Sequence, residues 1–220
     1  MQEINRIINA LEGRFKVKDL GLAHHVLGMR ILRRKNPLSL DQSRYAADIV
    51  DEFYYPSSPI YATPMDEGAL RVLESEEGEL LVDSELESFL SLLGKLNWLC
   101  HTRPEIVFSV HKIQQFSAKA RKPHWKALLR IVGYIAGTIE YGIIWGTAHS
   151  KSEGVEQIDY YHVDHNIEVH AGSSKANEIA VFSDADFASD RATSKSVSGI
   201  VIMINGAAVS FSSAKQKGCF

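Results

Sequence analysis

Three apolar stripes at helical spacing occupy residues 84–136 and impose a helical centre on this chain. Phe89, Leu92, Leu93 and Leu96 recur every three to four residues, which lines them along one side of a helix. Ser84 and Glu87 ahead of them match a capping box, in which the two side chains satisfy free backbone N–H groups. Pro104 suits the first turn of a second helix, where a missing N–H costs nothing, and Ile106, Val110 and Ile113 form its stripe. Pro123 opens a third helix with Trp125, Leu128, Leu129, Val132 and Ile135, and Gly137 closes it. The apolar stretch Phe89–Cys100 is broken by Ser91, Gly94, Lys95 and Asn97, so it does not read as a membrane span.

The flanks read differently. Ile4, Ile7, Ile8 and Leu11, followed by Gly13, predict an amphipathic N-terminal helix. Residues 15–20 and 24–34 look extended, Asn36-Pro37 marks a turn, and residues 38–40 resume a strand. Residues 43–53 return to helix, with Tyr45, Ile49, Val50 and Phe53 on one stripe. Pro56, Pro59 and Pro64 interrupt regular structure, and residues 66–87 carry nine acidic residues against one basic, Arg71, so 56–88 reads as a solvated loop. Residues 147–178 are polar and irregular and read as a linker or insertion. Residues 179–183 and 198–204 read as strands, and Asn205-Gly206 predicts a tight hairpin into a return strand at 207–212. The expected class is α+β.

With 45% hydrophobic residues, 220 residues suffice for one or two packed domains. Two distant cysteines, Cys100 and Cys219, argue against a disulfide framework or thiolate zinc site and make an intracellular setting the default. A net charge of −3 excludes a uniformly basic nucleic-acid binder but not a local basic face.

Such a face exists. Between Ile106 and Ile139 there is no acidic residue, while Lys112, Lys119, Arg121, Lys122, Lys126 and Arg130 contribute +6. A patch of this kind attracts phosphates and releases their counterions; a solvated helix face balanced by the acidic loop at 66–87 accounts for it equally well. Trp125, inside the run, reads as core rather than as a stacking platform. Arg30, Arg33, Arg34 and Lys35 on the expected hairpin could grip a nucleic-acid backbone or simply guard a sheet edge against aggregation.

Asp184, Asp186 and Asp190 lie at or past the end of an apolar strand. Carboxylate oxygens there can hold a hard cation such as magnesium, and Asp184 and Asp186 would share a face of an extended strand. On spacing alone, such a cluster is more often a turn and a solvated face. His149, His162, His165 and His170, with Asp159 and Asp164, could hold a metal, but their irregular spacing favours a plain polar insertion. No P-loop, nucleophile elbow or HExxH is present.

Taken in order, the segments resemble a known pattern. FKVKDLG at 15–21, LGM at 27–29, LSLDQSRYAADIVDEF at 38–53 and ATPM at 62–65 resemble consecutive blocks of copia-type retrotransposon reverse transcriptases. LLGKLNWLCHTRPEIVFSV at 92–110, PHWKALLRIVGYIAGTIEYGI at 123–143 and SDADFASDRATSKSVSGIVIMINGAAVSFSSAKQ at 183–216 resemble the blocks that follow. The resemblance implies a piece of a polyprotein in which reverse transcriptase is fused to RNase H. It implies a palm remainder and primer-grip hairpin at 1–42, thumb and connection helices with the acidic loop at 43–146, and a linker or insertion at 147–178. It implies the N-terminal part of an RNase H-like domain, with its first three strands, at 179–220.

By the same resemblance Asp184 matches the first RNase H carboxylate, with Asp186 a further candidate metal ligand. Magnesium would serve the complete parent enzyme, with none held stably by these residues alone. Arg33, Arg34, Lys119, Arg121, Lys122, Lys126 and Arg130 would face a primer–template duplex or RNA–DNA hybrid. No membrane partner is implied, and the setting would be a cytoplasmic virus-like particle or the nucleus. Phe187 stands where the pattern has Trp, and Ser189 where it has Gly. The Y-V-D-D turn and the later RNase H carboxylates do not occur in the sequence, so the expectation is a segment without catalytic competence of its own. A residual nucleic-acid-binding module, or an inert product of a decayed element, are the alternatives.

Overall fold

A computed structural model describes residues 2–33, 38–73, 78–145, 179–186, 195–204 and 207–217. Its centre is the helical set anticipated above: α4 (Asp83–Leu99), a 3-10 turn (Pro104–Ile106) leading into α5 (Val107–Gln114), and α6 (Lys122–Ala136). Before them come α1 (Gln2–Glu12), α2 (Ser43–Phe53) and α3 (Glu67–Leu73). Phe89, Leu92, Leu96, Ile106, Val110, Ile113, Leu128, Ile131 and Ile135 are completely enclosed and meet in one core. Each such side chain stabilises the fold by about 1.5–3 kcal/mol relative to exposure. Trp125 packs edge-on against Phe53 at 6.3 Å and lies 6.4 Å from Phe89, so it belongs to this core.

The first sheet has strand order β1 (His25–Val26), β2 (Met29–Arg33), β3 (Leu38–Asp41), β4 (Gly142–Trp145), all antiparallel. β4 pairs with β3 from Asp41↔Gly142 to Leu38↔Trp145, joining the N-terminal hairpin to the exit of α6. A side chain at Gly142 would come within 2.6 Å of the Leu40 carbonyl, so the strands close only around glycine there. Asp41, buried at the end of β3, accepts from Arg30 Nε at 3.1 Å and from Ser43 Oγ at 2.7 Å. Gln42 beside it accepts from Thr102 Oγ1 at 2.9 Å, which ties the start of α2 to the turn after α4.

That turn is locked by Arg103, 1% exposed. Its guanidinium donates to the Thr138 carbonyl at 3.0 Å and to Thr138 Oγ1 at 2.6 Å, pairs with Glu105, and lies 5.7 Å and 5.4 Å from the rings of Tyr134 and Tyr141. Burial, with Glu105 adding to it, pushes the Tyr134 phenol up to about 12. Burial likewise raises the Cys100 thiol to about 12, which makes it an inert core residue.

The second sheet is β5 (Ile179–Ala185), β6 (Val197–Ile204) and β7 (Ala207–Lys215), antiparallel in that order. Ile204 pairs with Ala207, so β6 and β7 form a hairpin around residues 205–206, which lie outside the described residues. The register aligns Phe182, Val201 and Phe211 on one face, with Asp184, Gly199 and Ser213 beside them. That face turns toward the 3-10 turn and α5, leaving a groove of about 450 Å³ lined by Pro104, Val107, Phe108, Phe182 and Phe211. Phe211 reaches the helical core, and His111 Nδ1 lies 2.9 Å from the Ser213 carbonyl. Val181 and Ile200 on the opposite face remain 62% and 41% exposed.

Several local expectations need correction. Residues 56–88 are not one solvated loop: α3 forms within them, and Leu73 and Leu81 are buried. Acidic composition concealed an apolar side facing α6. α4 begins at Asp83 with Val82 as its cap and no side-chain capping bond, so Ser84 and Glu87 sit inside the helix rather than forming a box. Gly137 ends α6 in a right-handed conformation, φ −82°. Its need for glycine comes instead from Ile60, whose Cγ2 would lie 2.7 Å from an added Cβ. Residues 15–20 form no strand. α1 is helical as expected, yet Ile4 and Ile7 are 57% and 55% exposed.

Candidate nucleic-acid interface

α6 opens after a short extended connection, and its first turn concentrates the basic residues. Arg121 is the N-cap, Pro123 occupies the first turn, and His124 at N3 accepts the Arg121 backbone N–H at 3.0 Å through Nδ1. The other ring nitrogen lies 3.3 Å from the Leu73 carbonyl, which makes Nε2 the protonated one. His124 is 3% exposed and stacked on Phe116. Burial lowers its pKa and the Arg121 charge adds to that, against the opposing pull of the Leu73 carbonyl. The fold uses His124 as a neutral cap inside the basic run.

The candidate phosphate contacts divide into two groups. Arg121 donates to the Gly78 carbonyl at 2.7 Å. Lys122 pairs with Glu85. Arg130 pairs with Asp66 at 3.0 Å, donates to Thr63 Oγ1 at 3.3 Å and lies over the Tyr61 ring at 4.2 Å. These three are held by residues 61–85. Lys119 and Lys126 are exposed, and neither makes an ion pair among the described residues. Lys112, counted in the basic run, is buried.

Residues 78–82 lie antiparallel across the connection into α6. Leu80 bridges Arg121, Leu81 N donates to the Ala120 carbonyl at 2.8 Å, and Lys122 N donates to the Glu79 carbonyl at 2.9 Å. Gly78 makes this possible: its φ is +88°, and a Cβ there would meet Pro123 at 2.8 Å. Nothing in the sequence marked this strap except the acidic excess itself.

On the first sheet, Arg33 donates to the Ala23 carbonyl, and Arg30 pairs with Asp41 and with Glu140 at 3.1 Å. The Asp41 bond raises the Arg30 pKa further. Arg34, Lys35, Asp190 and the histidine group at 149, 162, 165 and 170 lie outside the described residues.

The carboxylates of the second sheet are placed differently from each other. Asp184 lies within β5, not past its end; it is exposed at the groove and its Oδ1 accepts the Ala185 N–H at 2.8 Å. Asp186 closes the strand pair, its Oδ1 accepting the Val197 N–H at 2.6 Å and its N–H reaching the Val197 carbonyl at 3.1 Å. Both carboxylates thus accept a backbone N–H through one oxygen, and Asp184 is the more exposed of the two. No group of three potential metal ligands occurs among the described residues.

Comparison with known proteins points to transposon-encoded polyproteins. The chain is 29% identical over 215 residues to the retrovirus-related Pol polyproteins from transposons RE2 and RE1 of Arabidopsis thaliana. It is 25% identical over 224 residues to the corresponding polyprotein from transposon TNT 1-94 of Nicotiana tabacum. These alignments cover 97–98% of the chain but only 13–14% of the relatives. Over nearly its whole length the chain is homologous to one segment of the Pol polyproteins of copia-type transposons. No protein-family profile and no solved structure match it.

Proposed function

We propose that this chain is the part of a retrotransposon reverse transcriptase–RNase H module that holds a primer–template duplex or RNA–DNA hybrid, without catalysing chemistry by itself. The observation that carries the reading is the exposed pair Lys119, just ahead of α6, and Lys126, within it, beside Arg121, Lys122 and Arg130. It lies within a segment collinear with Pol polyproteins. Lysines at such a surface neutralise phosphates without reading bases, so binding is weak, independent of sequence and strongly salt-dependent.

The carboxylates support the second half. Two-metal phosphoryl chemistry needs several carboxylates around two ions about 4 Å apart. Asp184 and Asp186 are the two carboxylates here, and each already accepts a backbone N–H. Magnesium keeps several waters and binds a single carboxylate weakly. Asp184 and Asp186 are the residues that would contribute to a magnesium site completed by further ligands.

Titration of a fluorescent duplex at low and moderate salt tests the binding. Affinity should fall steeply with salt and drop on Lys119→Glu with Lys126→Glu. Affinity indifferent to both salt and charge reversal overturns the reading. Incubating the 220-residue chain with a labelled hybrid and magnesium tests the chemistry: no cleavage is expected, and cleavage abolished by Asp184→Asn would contradict it.

A further inference from the structure

We propose that residues 78–87, together with Asp66, are a built-in competitor for nucleic acid, a strap that occupies part of the basic surface of α6. The inference rests on the phosphate-binding reading above and adds a regulatory element to it. Three of the five candidate cations are taken by this segment: Arg121 by the Gly78 carbonyl, Lys122 by Glu85, and Arg130 by Asp66. The backbone bonds of residues 79–81 to residues 120–122 lay the strap directly over the helix start. Leu81, buried next to these bonds, fixes residues 79–81 there by apolar packing rather than by charge.

The electrostatic contacts are placed to be exchanged. The Lys122 and Glu85 side chains are 40% and 44% exposed, whereas Asp66 is 50% exposed and its partner Arg130 only 19%. An ion pair as exposed as Lys122–Glu85 is weak and screened by salt, so a duplex phosphate can replace Glu85 there first, and Asp66 at the more enclosed Arg130 after it. Lys119 and Lys126 lie outside the strap's ion pairs and provide the first contact. Lys122 and Arg130 join once their carboxylates are displaced. The strap thereby lowers affinity for isolated phosphates and favours a polyanion long enough to engage both groups of cations.

The test compares duplex binding by the full chain, by Asp66→Asn with Glu85→Gln, and by a control pair, Glu12→Gln with Asp19→Asn. The control makes the same charge change on the exposed N-terminal segment. Asp66 Oδ1 accepts the Ala69 N–H at 2.7 Å at the start of α3, and the amide oxygen left by Asp66→Asn can still accept it, so the strap variant retains its fold. Freeing the cations should tighten binding roughly three- to tenfold beyond the control at low salt. It should also steepen the logarithmic salt slope by about 0.9 per additional phosphate neutralised. Wild-type binding that is salt-dependent and lost on Lys119→Glu with Lys126→Glu, but equal in the strap and control variants, overturns the strap and leaves the binding reading intact. Absence of salt-dependent binding in every variant removes both.

Discussion

Replacing Arg103 should be among the most damaging single changes in this chain. Its guanidinium is fully enclosed and joins the turn after α4 to the residues that follow α6. Truncation to Ala removes two hydrogen bonds to Thr138, the pair with Glu105 and the contacts with Tyr134 and Tyr141. Deleting one member of a buried ion pair costs about 3–5 kcal/mol, mainly through the group left behind. Here Glu105 is 34% exposed and recovers water, and Thr138 Oγ1 keeps its bond to the Tyr134 carbonyl, so the lower end applies. The expected loss is about 3 kcal/mol for Arg103→Ala. Arg103→Met, which retains much of the volume, should lose about 2 kcal/mol. Urea unfolding followed by tryptophan fluorescence measures this directly. With a slope near 2 kcal/mol/M, the Ala variant's midpoint should fall by about 1.5 M. Arg103→Lys should not restore it, because an ammonium cannot span both Thr138 oxygens as a planar fork does. A loss below about 1 kcal/mol for Arg103→Ala would refute the claim that this network anchors the helices.

Two further predictions concern His124 and the glycines. His124 is neutral in the fold and its pKa is lowered by burial, so the unfolded chain takes up a proton first as pH falls. Its contribution is complete above the unfolded value of about 6.5 and declines as pH drops below that; the stability difference between wild type and His124→Gln, measured from pH 8 to 5, should narrow across this range, and a constant difference would contradict the assignment. Gly133→Ala should destabilise by about 1–3 kcal/mol, since its Cβ would lie 2.6 Å from the Pro59 carbonyl. Gly94→Ala, with nothing within 4 Å, should stabilise α4 by up to about 1 kcal/mol, and thermal melts that rank the two variants otherwise would count against the packing described.

The sequence alone was sufficient for the elements whose residues repeat with a clear period. The stripe of α4, the Pro104 start leading into α5, and α6 with its apolar face were all readable, because burial demands the same side of a helix every three to four residues. The helix at 43–53 and the hairpin around Asn205-Gly206 were readable for similar local reasons, as was the order of motifs shared with Pol polyproteins. Long-range partners were not. That β4 returns to pair with β3, that Arg103 crosses to Thr138, and that Phe211 seats the second sheet against the helical core depend on contacts between residues far apart in the chain. Charge illustrates the difference most clearly. The acid-free run and the acidic segment were both visible as composition, and a phosphate surface and a balanced helix face fitted them equally. Only the tertiary structure set Asp66 against Arg130 and Glu85 against Lys122 while leaving Lys119 and Lys126 exposed. Composition counts charges, but Coulomb interaction depends on distance and on exposure to water, and the fold decides both.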